Sequence, residues 1–438
     1  MKVLYKRTSQ RKKKIAESST DRQERISGWQ QERVVQGRVL ILGAGALGNE
    51  VAKNLALMGL GYMFVADMDL INKSNLSRAV FFRKSDAKQH RYKAEIVAKR
   101  ARALNVTPHA VVQTFQGDIV WQLGGGVFRR VDAVLGCLDN VEARMKANAY
   151  CLFTGTPFLD GGILGLAGTL TAVHPPATAC WECTTNAAER AYASNRYDSC
   201  SNVMRRDIEA GRVPTVQVAS SIIAGFQTQE AIKVIQGQDW AAGCIIQYNA
   251  STAHPDLDVL RISRRPNCWC NNAKTLEAVI ELQLSATTNT LNDLVAALIQ
   301  RGYANPRIAL PNPFVVARSC LRCQRQDPIM RPIFALDTMI LECRFCGAKG
   351  NEWIKLLTIE KITIEEFEKL EYHNTMFELV MKLILADLGF PPLALIPFSS
   401  DRSAGMFELV AELSADASNV MGGDQYASVR SNTYIGKQ

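Results

Sequence analysis

Apolar positions along the chain fall into two rhythms. Val39, Leu40, Ile41 and Leu42 form a short unbroken apolar run, the mark of a strand buried on both faces. It runs into Gly43-Ala44-Gly45-Ala46-Leu47-Gly48, after which Val51, Leu55 and Met58 keep helical spacing. Further strand signals follow at Met63 to Ala66, Ala133 to Leu135 and Thr169 to Val173. Pro214 then opens a long helix, Thr215 to Gln236, with Val218, Ile222, Phe226 and Ile232 among its apolar positions and Gly237 as its stop. Beyond Lys274, Ile280, Leu282 and Leu284 alternate with Glu281 and Gln283 as a strand does, and Thr290 opens a helix through Leu291, Leu294, Leu298 and Ile299. Trp353 to Ile359, Thr363 to Leu370, Thr375 to Leu388 and Leu393 to Pro397 continue the alternation, broken at Gly389-Phe390-Pro391-Pro392. The fold class expected is α/β: a Rossmann-like domain with a mostly parallel sheet, then a smaller C-terminal α+β region.

The glycine turn carries the first chemical signal. Glycines let backbone approach a phosphate closely, and the free N–H groups of the following helix point at it. Asp67, nineteen residues after Gly48 at the end of the second strand, can accept hydrogen bonds from ribose hydroxyls. Alone, this fingerprint fits a nicotinamide enzyme equally well. The residues that follow change the picture: Asp69, then Ser74-Asn75-Leu76-Ser77-Arg78, then Lys93-Ala94-Glu95, with Asp139-Asn140 delivered by the strand Ala133 to Leu135. Hydride transfer has little need of such a set. Attack of a carboxylate on an α-phosphate does need it, because two anions must meet and pyrophosphate must leave. Arg and Lys neutralise phosphates, and an Asp can hold magnesium. No Gly-x-x-x-x-Gly-Lys-Ser/Thr loop is present, which excludes a P-loop enzyme.

Composition narrows the setting. The 438 residues are 47% hydrophobic and 21% charged, enough for two or three ordinary domains. Part of the net charge of +9 sits in Lys2, Lys6, Arg7, Arg11, Lys12, Lys13 and Lys14, read as a solvated tail, so the remainder is nearer neutral and no nucleic-acid partner is expected. No apolar run approaches the ~20 residues of a membrane span and no secretory signal opens the chain, so a cytoplasmic protein without a membrane partner is expected. The twelve cysteines then point to metal ligands or reactive thiols rather than disulfides.

Cys320-Leu321-Arg322-Cys323 and Cys343-Arg344-Phe345-Cys346, nineteen residues apart, read as a zinc ribbon, with Phe334 to Leu336 and Met339 to Leu341 as hairpin strands. Cys180-Trp181-Glu182-Cys183 and Cys268-Trp269-Cys270 supply four more thiolates, suited to tetrahedral zinc. Of the other four cysteines, Cys137, Cys151 and Cys244 fall in apolar or helical surroundings typical of small buried hydrophobes. Cys200 instead lies in the polar stretch Thr184 to Arg212, near Arg205 and Arg206, whose charge favours a nucleophilic thiolate.

Taken together, these residues resemble the ubiquitin-activating and sulfur-carrier-activating adenylyltransferases over roughly Arg22 to Gly237. The resemblance rests on the glycine turn, Asp67-Met68-Asp69, Ser74 to Arg78, Lys93-Ala94-Glu95, Cys137-Leu138-Asp139-Asn140, Arg144 and Thr156-Pro157-Phe158-Leu159-Asp160-Gly161-Gly162. It implies that Gly43, Gly45, Ala46 and Gly48 with Asp67, Asp69, Ser74 and Asn140 line an ATP site. Within that site Asp67 would bind ribose, Asn75, Arg78 and Lys93 would hold the phosphates, and Asp139 would coordinate Mg2+. It implies homodimerisation, with Arg25, or alternatively Arg22, reaching a neighbouring subunit's site. It also supports pairing Cys180 and Cys183 with Cys268 and Cys270, giving two structural Zn2+ sites in all. Two residues are inserted between Arg78 and Lys93, and Ala46 replaces a common glycine, but neither change removes a needed charge.

The expected activity is ATP-dependent adenylation of the C-terminal carboxylate of a ubiquitin-like protein, thioester formation on Cys200, and transfer to a conjugating enzyme, as in bacterial ubiquitin-like conjugation operons, some serving antiviral defence. A sulfur-carrier adenylyltransferase without a Cys200 thioester is the alternative. The expected division is a basic flexible tail over 1–21 and an adenylation domain over 22–272 with a crossover loop over 184–213. An α+β domain over 273–415 follows, with the ribbon at 316–350, and a flexible tail over 416–438.

Overall fold

A computed structural model of the protein describes residues 18–186, 215–271, 279–336, 338–363, 373–401 and 403–411. Eight strands build its first sheet: β1 (Arg38–Leu42), β2 (Tyr62–Ala66), β3 (Val111–Phe115), β4 (Ala133–Gly136), β5 (Phe158–Leu164), β6 (Ala167–Val173), β7 (Cys244–Asn249) and β8 (Asp256–Arg261). Their spatial order is β3-β2-β1-β4-β5-β6-β7-β8. The first five of that order are parallel and the remaining pairings antiparallel. On β1, Val39 and Ile41 face one core cluster while Leu40 and Leu42 face another, which is why the strand reads as unbroken hydrophobicity.

Helices cover both faces of the sheet. The helix α1 (Ala46–Met58) buries Leu47, Val51 and Leu55 against the first cluster and ends at left-handed Gly59. Next come α2 (Lys93–Leu104) and α3 (Val141–Thr154), the latter started by Asn140, whose side chain accepts from the Ala143 N–H at 2.8 Å. The long α4 (Gln217–Gln236) starts two residues later than its sequence suggests, because Thr215 pairs as an isolated bridge with Gly165.

The second sheet holds β9 (Ile280–Leu282), β10 (Arg307–Cys320), β11 (Gln326–Pro332), β12 (Ile354–Ile362), β13 (Leu395–Ser399) and β14 (Ala404–Leu409). Its order is β11-β10-β13-β14-β9, with β12 also on β10. Helix α5 (Leu291–Gln300) begins at Thr290, which forms a capping box with Asp293. Two expectations are corrected here. The ribbon's hairpin is made by β10 and β11; the segments expected as its strands are the single turns Ile333–Ala335 and Thr338–Leu341, entered where Pro332 ends the ladder. The helix expected to reach Leu388 ends at Met381, as α6 (His373–Met381), because the following backbone turns to pair elsewhere. Leu385 N–H donates to Asn289 O at 2.9 Å and Ala386 N–H to Ala286 O at 2.7 Å, replacing helical bonds with tertiary ones.

The two sheets meet where the segment before β4 lies against the strand pair β13 and β14. Gly126 N–H donates to Leu393 O at 2.9 Å, and a Cβ at Gly126 would stand 2.0 Å from Glu408 Oε1. Glu408 is fully buried and pairs with both Arg129 and Arg130.

Candidate active site

Strand register brings the chemistry to one edge. Leu42, Ala66 and Gly136 are Cα partners across β2, β1 and β4, and Gly136 pairs in turn with Asp160 on β5. The residues just beyond these ends, Gly43, Asp67 and Cys137, therefore emerge at the same carboxyl edge. The order reverses direction between β1 and β4, the crevice where open α/β sheets take ligands.

The glycine turn is built from forced contacts. Gly43 adopts φ +95°, and a Cβ there would meet Cys137 O at 2.3 Å; a Cβ at Gly48 would meet Gly43 O at 2.0 Å. Gly45, which starts α1, has nothing within 4 Å of its missing Cβ. Two glycines are thus demanded by the protein itself, and the third leaves space. Gly48→Ala is expected to destabilise the fold by about 1–3 kcal/mol, whereas Gly45→Ala should leave the melting temperature unchanged and weaken ATP binding. Thermal melts and calorimetry with ATP check both, and a stable Gly48→Ala chain would contradict the packing argument.

Asp67 is buried and braces this turn. One carboxylate oxygen accepts from Ala44 N–H and the other from Asp69 N–H, both at 2.7 Å. Burial raises its pKa, and the Lys93 charge opposes that rise. Lys93 stands at the start of α2, held by its own N–H to Asp69 O at 2.9 Å, and its ammonium lies 2.7 Å from Asp69 Oδ2. Burial alone would lower the lysine's pKa, but the charges of Asp67 and Asp69, with a further contribution from Asp139, outweigh it and raise it. Asp139 and Asn140 are exposed at the head of α3.

The other expected residues are placed less tightly. Asn75 accepts from Asn72 N–H at 2.8 Å in a capping box that shapes the turn Lys73–Ser77, Ser74 is exposed, and Arg78 donates to Ser74 O at 3.0 Å. Arg25 follows the short helix Asp21–Glu24 and pairs with Asp21 at 2.7 Å on the outside of this chain. Cys200, with the rest of 187–214, lies outside the described residues. Cys137 and Cys151 are unsuited to nucleophilic work, since burial pushes both thiols well above the ordinary range.

Both cysteine quartets converge. Cys180, Cys183, Cys268 and Cys270 have their sulfurs within 4.8 Å of one another, with neighbours at 3.6, 3.6 and 3.9 Å. In the second, Cys320 lies 3.7 Å from Cys346 and Cys323 lies 3.7 Å from Cys343. Tetrahedral zinc with bonds of about 2.3 Å sets its sulfurs about 3.8 Å apart. Either quartet could hold zinc, and the Cys-x-Cys spacing of Cys268 and Cys270 does not prevent closure.

The ThiF family profile matches residues 19–270, more than half of the chain. The chain belongs to the ThiF family. Among its relatives is the sulfur carrier protein ThiS adenylyltransferase of Escherichia coli (strain K12), 29% identical over 246 residues that cover 56% of this chain and 90% of that protein. The SUMO-activating enzyme subunit 2 of Dictyostelium discoideum is 32% identical over 37% of this chain and 24% of its own length. Ubiquitin-like modifier-activating enzyme 7 of Homo sapiens is 37% identical over 36% of this chain and 16% of its own. This chain thus spans a quarter or less of the length of those two enzymes. The solved structure of E. coli MccB with ATP aligns at a TM-score of 0.43 and 21% identity, covering 55% of this chain and 67% of that one. The family is one of ATP-dependent adenylyltransferases, and the glycine turn and Lys93 both fall within the matched segment.

One part of this ThiF family site had no role assigned from sequence. Asp160 on β5 is buried, lies 3.3 Å from Arg144 Nε, and accepts from the Trp181 indole N–H at 2.8 Å. Burial, opposed by Arg144 and the indole bond, pushes its pKa up to about 6. An acid inside the apolar run Phe158-Leu159-Asp160 was the available signal.

Proposed function

We propose that this chain activates a ubiquitin-like protein: it adenylates the C-terminal carboxylate, takes the acyl group as a thioester on Cys200, and passes it to a conjugating enzyme. The observation that carries the reading is Lys93, a charged lysine enclosed by Asp67 and Asp69 beside the Gly43 to Gly48 turn of a ThiF family domain. In the first step a carboxylate oxygen bonds to the α-phosphorus of ATP and the bond to pyrophosphate breaks. In the second, the Cys200 thiolate bonds to the carbonyl carbon and AMP leaves with the electron pair of the broken C–O bond.

The chain's residues have separable tasks in this reading. Backbone N–H groups at the start of α1 face the phosphates, and Lys93, on leaving Asp69, together with Asn75 and Arg78, meets charge that builds on the departing pyrophosphate. Ser74 and Asn140 complete the wall, and Asp67, besides keeping the turn in shape, accepts from the ribose hydroxyls. Asp139 would hold magnesium, which would supply positive charge to offset that of the phosphates. Arg25 serves a neighbouring subunit of a homodimer, two zinc ions staple the cysteine quartets, and the division at about residue 272 separates the adenylation domain from the C-terminal region. A cytoplasmic setting and a role in bacterial antiviral defence belong to the same reading; no described helix is long and apolar enough to cross a membrane.

A second reading is supported by the match to 90% of the ThiS adenylyltransferase. There the nucleotide chemistry is the same and Cys200 forms no thioester. Exchange of labelled pyrophosphate into ATP with candidate ubiquitin-like proteins, followed by non-reducing gels, separates the two. Wild type and Cys200→Ser should exchange within about threefold of each other, with a thiol-sensitive adduct only in the wild type. Exchange with no adduct in either chain moves the assignment to sulfur-carrier chemistry.

A further inference from the structure

The first cysteine quartet and the nucleotide edge are joined by a chain of buried polar contacts. Trp181 lies between the ligands Cys180 and Cys183 in the turn Trp181–Thr184, is 7% exposed, and its backbone N–H donates to the fully buried Asn148 at 2.9 Å. Its indole N–H reaches Asp160 Oδ2 at 2.8 Å, and the same oxygen faces Arg144 Nε at 3.3 Å. Arg144 turns its other nitrogen toward the edge of the sheet, donating to Leu138 O at 2.6 Å and to Gly161 O at 3.3 Å. Leu138 is the residue immediately before Asp139. Room for the carboxylate exists because position 136 is glycine, where a Cβ would fall 2.3 Å from Asp160 Oδ1.

Several features mark this as more than packing. A buried ion pair is an expensive way to fill space, and an apolar pair of the same volume often stabilises as well or better. Here neither Asp160 Oδ1 nor Arg144 Nε has a hydrogen-bond partner, so Oδ2 alone carries both the hydrogen bond from Trp181 and the ion pair with Arg144. Such an arrangement fixes direction. Arg144's planar fork then transfers it to a backbone carbonyl of the loop that carries Asp139.

We propose that Trp181, Asp160 and Arg144 are positioning residues that hold the Leu138–Asp139 backbone in register with the nucleotide crevice, with the Cys180, Cys183, Cys268, Cys270 quartet as their anchor. This rests on the adenylation reading, and it gives that quartet a task beyond stapling the chain. Freeing the relay would loosen the Leu138–Asp139 backbone, whereas the glycine turn keeps its own brace, the Asp67 carboxylate on Ala44 N–H.

The test uses the full-length zinc-loaded chain. Trp181→Phe keeps the aromatic volume and removes the indole donor, and Asp160→Asn weakens the pair from the other side without touching the quartet. Zinc content is measured by atomic emission, and ATP binding by calorimetry across a magnesium titration. Both variants should retain two zinc ions per chain and need about fivefold to tenfold more magnesium for half-maximal ATP binding, the loss of roughly one buried hydrogen bond. Should Trp181→Phe lose zinc, Asp160→Asn decides alone. Unchanged magnesium dependence in a zinc-replete Asp160→Asn chain overturns the relay. Wild-type protein that binds no ATP would instead sink the adenylation reading itself, so the two failures are distinct.

Discussion

A chain carrying Lys93→Met keeps its fold and loses pyrophosphate exchange by about 10²- to 10³-fold, the usual cost of removing one preorganised charge from a transition state. Methionine preserves the length and apolar contacts of the lysine stem and deletes only the cation. The side chain is 12% exposed, so water cannot substitute fully for it. Asp67, Asp69 and Asp139 would then face incoming phosphates with the cation they surround removed and only Arg78 left to meet the charge, and repulsion would be felt most where pyrophosphate separates. Loss in kcat with little change in the KM for ATP is the pattern expected of an interaction made chiefly in the transition state. Circular dichroism controls for folding. Exchange within threefold of wild type would remove Lys93 from the reaction and leave its pairing with Asp69 as a structural bond.

The largest expected stability effect lies far from that edge, at Glu408. Replacing it with Leu should cost about 3–5 kcal/mol, because Arg129 and Arg130 keep their charges in a half-buried seam with no carboxylate between them. Glu408 is wholly inaccessible, whereas the arginine side chains are 29% and 22% exposed, so the penalty falls between a surface and a fully buried pair and nearer the latter. Among the described residues Arg129 then retains one ion-pair partner, Glu281 at 3.8 Å. Thermal unfolding and protease sensitivity of the seam report the loss. A triple variant, Glu408→Leu with Arg129→Met and Arg130→Met, should recover most of it, since removing all charges together leaves none stranded. A single variant as stable as wild type would mean that the arginines find water, and that the seam is looser than its geometry.

What could be read from the chain divides along the range of the interactions involved. The glycine turn, Lys93 and the cysteine pairs were legible because each sets its chemistry within a few residues. The strand β1 declared itself through burial on both faces. By contrast β3, Val-Val-Gln-Thr-Phe, sits at a sheet edge and mixes buried with half-exposed positions, and β8, Asp-Leu-Asp-Val-Leu-Arg, is exposed throughout, so neither stands out from loop. Proline at 311 and 313 hid the long β10, whose register shifts there. Beyond Met381, local periodicity favoured helix and bonds to Asn289 and Ala286 overruled it. The union of Glu408 with Arg129 and Arg130 spans more than 270 residues and leaves no local trace. Asp160 was visible as an oddity, but only the positions of Trp181 and Arg144 gave it a direction.

The pairing of β9 with β14 carries a consequence for synthesis. These strands are parallel neighbours, Leu282 beside Leu409, although well over a hundred residues separate them along the chain. At roughly 5–20 residues per second on the ribosome, β9 waits on the order of ten seconds for its one partner among the described strands. During that interval the ribbon's four cysteines are already made and β10, β11 and β12 can close around them. Metal supply during translation thereby becomes a folding cue: a nascent chain starved of zinc would hold an open strand edge and an uncaged set of thiols at the same moment, the state most exposed to aggregation.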